Sequence, residues 1–224
     1  MNLYPVAIIE NFYENPNEIR EFALKQEYTF CHERENVDYV YPGSRTKDIF
    51  DLDPTLQAKI LEKLISVFHN TEHDVMRWGI STNFQSVTEE YKEGVIHTDH
   101  NTIFAGVLYL SPNAPLESGT SLYRKASSFD EKKYKDALAL NDREFREGKV
   151  VMQTTHHDMF EEIVRVNNVY NTLILYEGRH YHSANDFFGS KVEDSRLTQV
   201  FFITSIDAKK QSVFPLSRVK SIKV

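Results

Sequence analysis

The chain has 224 residues, with 26 Lys and Arg against 33 Asp and Glu, a formal net charge of −7. Hydrophobic residues make up 41% and charged ones 26%, so the chain can bury a core and is not a disordered tail. The acidic balance argues against sequence-independent nucleic-acid binding, which relies on Lys and Arg at phosphates. Cys31 is the sole cysteine, which excludes an intrachain disulfide and a multi-cysteine zinc site. The opening MNLYPVAIIENF meets an acidic residue after a very short apolar run, so it reads as neither a signal peptide nor a membrane span. With an unpaired cysteine, that favours a reducing cytoplasm.

The length fits one domain, expected as helical support over 1–74, a β-rich core over 75–206 and a tail over 207–224. A strand over residues 6–9 leads to a helix opened by Asn15 as N-cap, Pro16 at the first helical position and Glu18 in a capping box. Its apolar face carries Ile19, Phe22 and Ala23. A second helix follows Asp53-Pro54, with Leu56, Ile60, Leu61, Leu64, Ile65 and Phe68 at helical spacing. Both read as scaffold helices covering one face of a sheet. From about Val75 the texture turns to short runs rich in Val, Ile, Tyr, Phe and Thr, at 76–81, 83–88, 103–110, 121–124, 172–176 and 197–204. This pattern predicts an α+β protein whose second half is a sandwich or jelly roll. A charged interruption over 129–149, within an insertion of about 125–160, reads as a solvated helix.

Nine histidines are present, and two His-x-Asp pairs occur, His97-Thr98-Asp99 and His156-His157-Asp158. Chance alone supplies about one such pair in a chain like this. On a strand, residues two apart share a face, so the pair can offer an imidazole and a carboxylate to one ion. Two histidines and one carboxylate leave coordination positions open, which suits non-haem Fe(II) oxygen chemistry. Downstream of His97/Asp99 lie the apolar run at 103–110, then His180-Tyr181-His182, then Arg196-Leu197-Thr198 entering another strand. For His156/Asp158 the same histidines follow too closely to span several strands, and that pair reads as an exposed loop.

The order His97-x-Asp99, His182, Arg196-x-Thr198 resembles the Fe(II)/2-oxoglutarate-dependent oxygenases. Within them it is most similar to the prolyl-hydroxylase-like and phytanoyl-hydroxylase-like branches and to a poorly characterised bacterial and phage group. The supporting stretches are VIHTDHNTIFAGVLYLSPNAPLESGTSLYR and NTLILYEGRHYHSANDFFGSKVEDSRLTQVFFI. The resemblance implies a double-stranded β-helix, or jelly roll, that binds Fe(II), 2-oxoglutarate and O2 and releases succinate and CO2. It implies His97, Asp99 and His182 as metal ligands, with His180 the alternative to His182. Arg196 would bind the distal carboxylate of 2-oxoglutarate bidentately, and Thr198 and Tyr109 would reach the same carboxylate. For Arg196 a surface ion pair with Glu193 or Asp194 is the competing reading, and for Tyr109 a plain core position. Retention of Asp99 favours hydroxylation or demethylation over halogenation. A peptide side chain or a small metabolite is the expected substrate, with nucleobase demethylation disfavoured by the charge. An inactive jelly roll serving in binding or assembly is the alternative from outside the enzymes. The turn at Tyr41-Pro42-Gly43-Ser44-Arg45 reads either as reaching toward the substrate or as an ordinary turn with a solvated arginine.

Overall fold

The computed structural model describes residues 4–34, 40–68, 76–150 and 152–208. Strand β1 (Val6–Ile9) leads into helix α1 (Pro16–Leu24). Pro16 stands in the first turn, where its missing N–H costs nothing, but the Asn15 side chain makes no capping hydrogen bond. Two short strands, β2 (Thr29–Phe30) and β3 (Ser44–Arg45), and a short helix α2 (Ile49–Leu52) precede helix α3 (Pro54–Phe68). Asp53 caps α3 by accepting from the Thr55 and Leu56 N–H groups, each at 2.9 Å. Then come β4 (Met76–Val87), β5 (Phe104–Tyr109), β6 (Thr120–Lys125), α4 (Glu131–Arg146), β7 (Phe160–Val166), β8 (Leu173–Glu177), β9 (Tyr181–Ala184) and β10 (Arg196–Ala208).

The strands form a seven-stranded sheet in the order β1-β8-β5-β10-β4-β3-β2 and a three-stranded sheet in the order β7-β6-β9. Their pairings are antiparallel. Side chains alternate faces along each strand, and this sorts the large sheet into two sides. Phe84, Leu108, Leu173, Leu175, Leu197 and Phe201 point to the side covered by α1 and α3, where Ala23, Ile60, Leu64 and Phe68 meet them. Burying each of these aromatic and leucine side chains contributes about 1.5–3 kcal/mol. Between them, Ala105, Val107, Tyr109, Ile174 and Tyr176 point the other way and pack against Leu122 and Val166 of the small sheet. The candidate site lies on this inner side, between the two sheets.

Four local expectations change. Residues 76–81 and 83–88 form one continuous strand, because Thr82 pairs with Phe201 of β10 and keeps the ladder unbroken. The insertion helix is amphipathic, not wholly solvated: Tyr134, Ala137, Asn141 and Phe145, spaced three or four apart, are buried. Its charges pair along the outer face, as in Lys132–Asp136 and Arg146–Asp142. Strand β7, a charged edge strand, had no predicted counterpart, and the strand face expected to carry both His180 and His182 is the four-residue β9, which starts at Tyr181 and holds only His182. Strand β10 runs through Ala208 into the expected C-terminal tail, and the rest of that tail lies outside the described residues.

Candidate active site

His97 lies just outside the small sheet, yet exchanges both backbone hydrogen bonds with His182 of β9, at 3.0 and 2.9 Å. That bridge sets the two imidazoles side by side, with ring centroids 4.4 Å apart. Each ring places Nδ1 at 2.8 Å from a carbonyl two residues back in its own chain, Val95 O for His97 and His180 O for His182. A carbonyl only accepts, so Nδ1 carries the proton and Nε2 presents its lone pair. Both lone pairs meet at Asp99: His97 Nε2 is 3.6 Å from Oδ1, and His182 Nε2 is 3.3 Å from Oδ2. The Asp99 N–H donates to Gly178 O at 2.8 Å, which ties the carboxylate to the turn before β9. The three ligand-type atoms lie within 4.8 Å of one another. Burial pushes the Asp99 carboxyl up, but the two imidazoles, when protonated on Nε2, outweigh it and hold it well below the usual range. Burial also opposes a proton on His97, as does the Arg45 guanidinium, yet the Asp99 carboxylate and the Val95 carbonyl raise its pKa. Two neutral nitrogens and one anionic oxygen are the donor set that suits a divalent non-haem iron.

His180 is not part of this cluster. It precedes β9, so strand alternation does not place it beside His182. Its Nε2 instead lies 3.7 Å from the buried Glu177 carboxylate, with Tyr4 against its ring.

Arg196 is buried at the start of β10, where its Nε donates to Ser118 O at 2.9 Å and its Nη2 to Gly119 O at 3.2 Å. A side chain at Gly119 would run into the Val166 carbonyl, so only glycine lets this turn lie against β7 and offer its own carbonyl to Arg196. Among the described residues Arg196 makes no ion pair with Glu193 or Asp194. Tyr109 lies beside it, the guanidinium carbon 5.6 Å from its ring, and donates to Thr120 Oγ1 at 3.0 Å. Thr198 pairs directly with Tyr109 and shares the inner face with Arg196. Arg196, Thr198 and Tyr109 therefore form one buried group. Burial pushes the Tyr109 hydroxyl up while Arg196 pulls it down. Tyr176, which the sequence reading overlooked, joins this group to the histidines: its ring centroid is 4.6 Å from that of His182, and Asp99 and Arg196 both act on its hydroxyl. The inward alternation of Ile174 and Tyr176 on β8 was its only signal.

A polar wall completes the inner face on the far side of Thr198. Thr198 pairs with Gln85, and Gln85 with Arg45. The Arg45 Nη2 donates to Gln85 Oε1 at 3.1 Å, and its guanidinium lies over the Tyr41 ring at 4.2 Å. Arg45 is 7% exposed, so the reading of a solvated turn arginine is corrected. Asn83, one inward position along β4, is also buried.

In the second His-x-Asp pair Asp158 is exposed, as expected of a loop, but His156 is not. His156 is 2% exposed, and its Nε2 lies 3.3 Å from Ile96 O. The Ile96 N–H donates to His157 Nε2 at 3.1 Å. Spacing alone could not show this, because α4 folds the segment back onto the stretch of chain just before His97.

Solved structures share this fold. A prolyl hydroxylase from Trichoplax adhaerens, in complex with a hypoxia inducible factor peptide fragment, matches with a TM-score of 0.52 at 12% identity, covering 88% of this chain and 82% of that one. HygX from Streptomyces hygroscopicus, with nickel and 2-oxoglutarate bound, matches with a TM-score of 0.51 at 11% identity, covering 88% and 82%. The non-haem alpha ketoglutarate dependent carbocyclase SnoK from nogalamycin biosynthesis matches with a TM-score of 0.51 at 14% identity, covering 97% and 87%. The fold is thus that of the Fe/2-oxoglutarate oxygenases. By sequence, the chain belongs to the family of unknown function DUF6445, which it matches over residues 2–203. No curated protein matches it.

Proposed function

We propose that the protein is a non-haem Fe(II)- and 2-oxoglutarate-dependent dioxygenase that hydroxylates a C–H bond of a peptide side chain or a small metabolite. The reading treats the chain as one oxygenase domain: helical support, a double-stranded β-helix and an insertion around α4. The observation that carries it is the aim of the two imidazoles. Each donates Nδ1–H to its own backbone and turns Nε2 toward the single carboxylate of Asp99, with Arg196 buried on the same inner side. A surface pair of histidines has no need of such preorganisation.

His97, Asp99 and His182 would hold the iron. When bound, iron with 2-oxoglutarate and O2 supplies oxidative decarboxylation to succinate and CO2, coupled to oxygen insertion at the substrate. Arg196 fixes the distal carboxylate of the co-substrate, with the Thr198 and Tyr109 hydroxyls beside it; a planar guanidinium suits that role better than an ammonium. Val107, Ile174, Leu122 and Tyr176 keep the space between the sheets apolar, which limits water around the reacting atoms. The Asn83, Gln85 and Arg45 side chains face the remaining space and offer amide and guanidinium groups to a polar substrate. Among the described residues no helix is long and apolar enough to cross a membrane.

The test is anaerobic Fe(II) titration followed by succinate measurement with O2 and ascorbate, alongside an Asp99→Ala control. Near-stoichiometric iron in the wild type, with succinate formation above the control, is the expected result. Loss of both would end the enzyme reading.

A further inference from the structure

The His156-His157 pair lies outside the ligand cluster, yet it grips the residue immediately before a ligand. We propose that His156 and His157 are positioning residues that clamp both ends of the Ile96 residue and so deliver His97 to the metal. The proposal rests on His97 being a metal ligand.

The clamp is built from both polar groups of one residue. The Ile96 N–H donates to His157 Nε2 at 3.1 Å, and Ile96 O lies 3.3 Å from His156 Nε2. An acceptor nitrogen cannot carry a proton and a nitrogen facing a carbonyl must, so the neighbouring rings adopt opposite tautomers. His157 is protonated on Nδ1, which lies 3.9 Å from Glu93 Oε2, and His156 on Nε2. Ile96 is buried, so without these two rings its peptide groups would lose their partners in a place that water does not supply. On the next residue, His97 spends its own N–H and C=O on His182. Ile96 therefore meets no strand ladder, and imidazoles stand where a neighbouring strand would otherwise be.

The clamp is itself held from α4. Asn141 grips the Gln153 backbone from both sides, its Oδ1 accepting from Gln153 N at 2.8 Å and its Nδ2 donating to Gln153 O at 3.0 Å. Tyr134, also on α4, packs against His156 with ring centroids 5.7 Å apart. The Met159 N–H closes the turn on His156 O at 3.1 Å. A continuous path of contacts thus runs from the insertion helix through residues 153–159 and Ile96 to His97. Groups that only orient a ligand typically change metal affinity by about 10–100-fold when removed.

The experiment titrates Co(II) into wild type and variants, following the d–d absorption of the bound ion, with folding checked by circular dichroism. His157→Leu and His156→Leu should each weaken Co(II) binding at least 10-fold, while His157→Gln, whose amide oxygen can still accept from Ile96, should stay within about threefold of wild type. Thermal stability would drop for either leucine variant in any structural role, so affinity is the deciding reading. Folded leucine variants that bind Co(II) like wild type would overturn the clamp and leave the metal centre standing. A wild type that binds no Co(II) would remove the metal reading and the clamp with it. Hydrogen exchange on the wild type supplies an arm that needs no variant: Co(II) should slow exchange across residues 153–159 as well as 95–99. Protection confined to 95–99 and 178–182 would overturn the coupling.

Discussion

His182 Nε2 lies 3.3 Å from Asp99 Oδ2, and this distance joins two segments held together by the His97–His182 bridge and by the Asp99 N–H on Gly178 O. The carboxylate is anionic and its neighbours are aimed at it, so the site is preorganised for a cation before any cation arrives. Asp99→Ala removes the only anionic donor of the three. Since loss of an orienting group alone costs about 10–100-fold in affinity, removal of this ligand should cost at least ~100-fold in Fe(II) or Co(II) binding. Its Cβ stays and no apolar packing is lost, so the fold should persist. Metal content after desalting, read with circular dichroism, checks both halves; a variant that keeps one equivalent of metal would exclude Asp99 as a ligand.

Arg196 should separate co-substrate binding from metal binding. Arg196→Lys keeps the charge but loses the fork that donates to Ser118 O and Gly119 O. We expect the Kd for 2-oxoglutarate on the Co(II)-loaded protein to rise by ~30-fold or more, with Co(II) affinity changed less than about threefold. Stability should also fall by about 1–3 kcal/mol, because buried carbonyls lose donors. Unchanged 2-oxoglutarate affinity in a folded variant would confine Arg196 to a structural role.

Tyr109→Phe asks a finer question about the same group. The substitution deletes one hydroxyl, leaves the ring packed and removes the hydrogen bond to Thr120. A purely structural tyrosine predicts a loss of about 1 kcal/mol in stability and no change in co-substrate affinity. A tyrosine that reaches the carboxylate predicts a further loss of roughly 10-fold in 2-oxoglutarate binding. Isothermal titration on the Co(II)-loaded variant distinguishes the two.

What could be read from the residues depended on how local each signal was. Arg196-x-Thr198 was visible because a strand places residues two apart on one face, and β5 because six apolar-rich residues follow in a row. His97-x-Asp99 stood out as a motif, although only His97 bridges a strand and Asp99 lies outside any. The choice between His182 and His180 was not visible, since it turns on where β9 begins, at Tyr181. Burial of His156 and Arg45 was equally hidden. Both look like surface residues in a polar stretch, and both are covered by elements distant in the chain, α4 for one and β4 for the other. Strand β7 carries charges because it lies at a sheet edge, which erased the alternation that marks a half-buried strand. The inner wall of Asn83 and Gln85 broke the apolar pattern of β4 for a reason that only the register with β10 reveals: those positions face the site.

The clamp histidines predict an acid sensitivity that can be assigned to one ring. Burial, reinforced by the neighbouring His156, holds the His157 pKa down to about 4 from its ordinary 6.5. With the folded pKa depressed, the unfolded chain takes up this proton first as the pH falls through about 6.5. Between pH 6.5 and about 4 the unfolded state therefore binds more protons at this position, and stability is lost across that window. Below about 4 both states are protonated and the loss levels off. The geometry gives the same sign, since a proton on Nε2 would leave the Ile96 N–H facing a donor. His157→Gln has no proton to gain, so its melting temperature should fall less than that of wild type between pH 7 and 4.5. The histidines other than the adjacent His156 are common to both proteins and cancel in the difference. Melting curves at half-unit pH steps, recorded without metal, measure it; parallel curves for the two proteins would show that His157 does not titrate in this window.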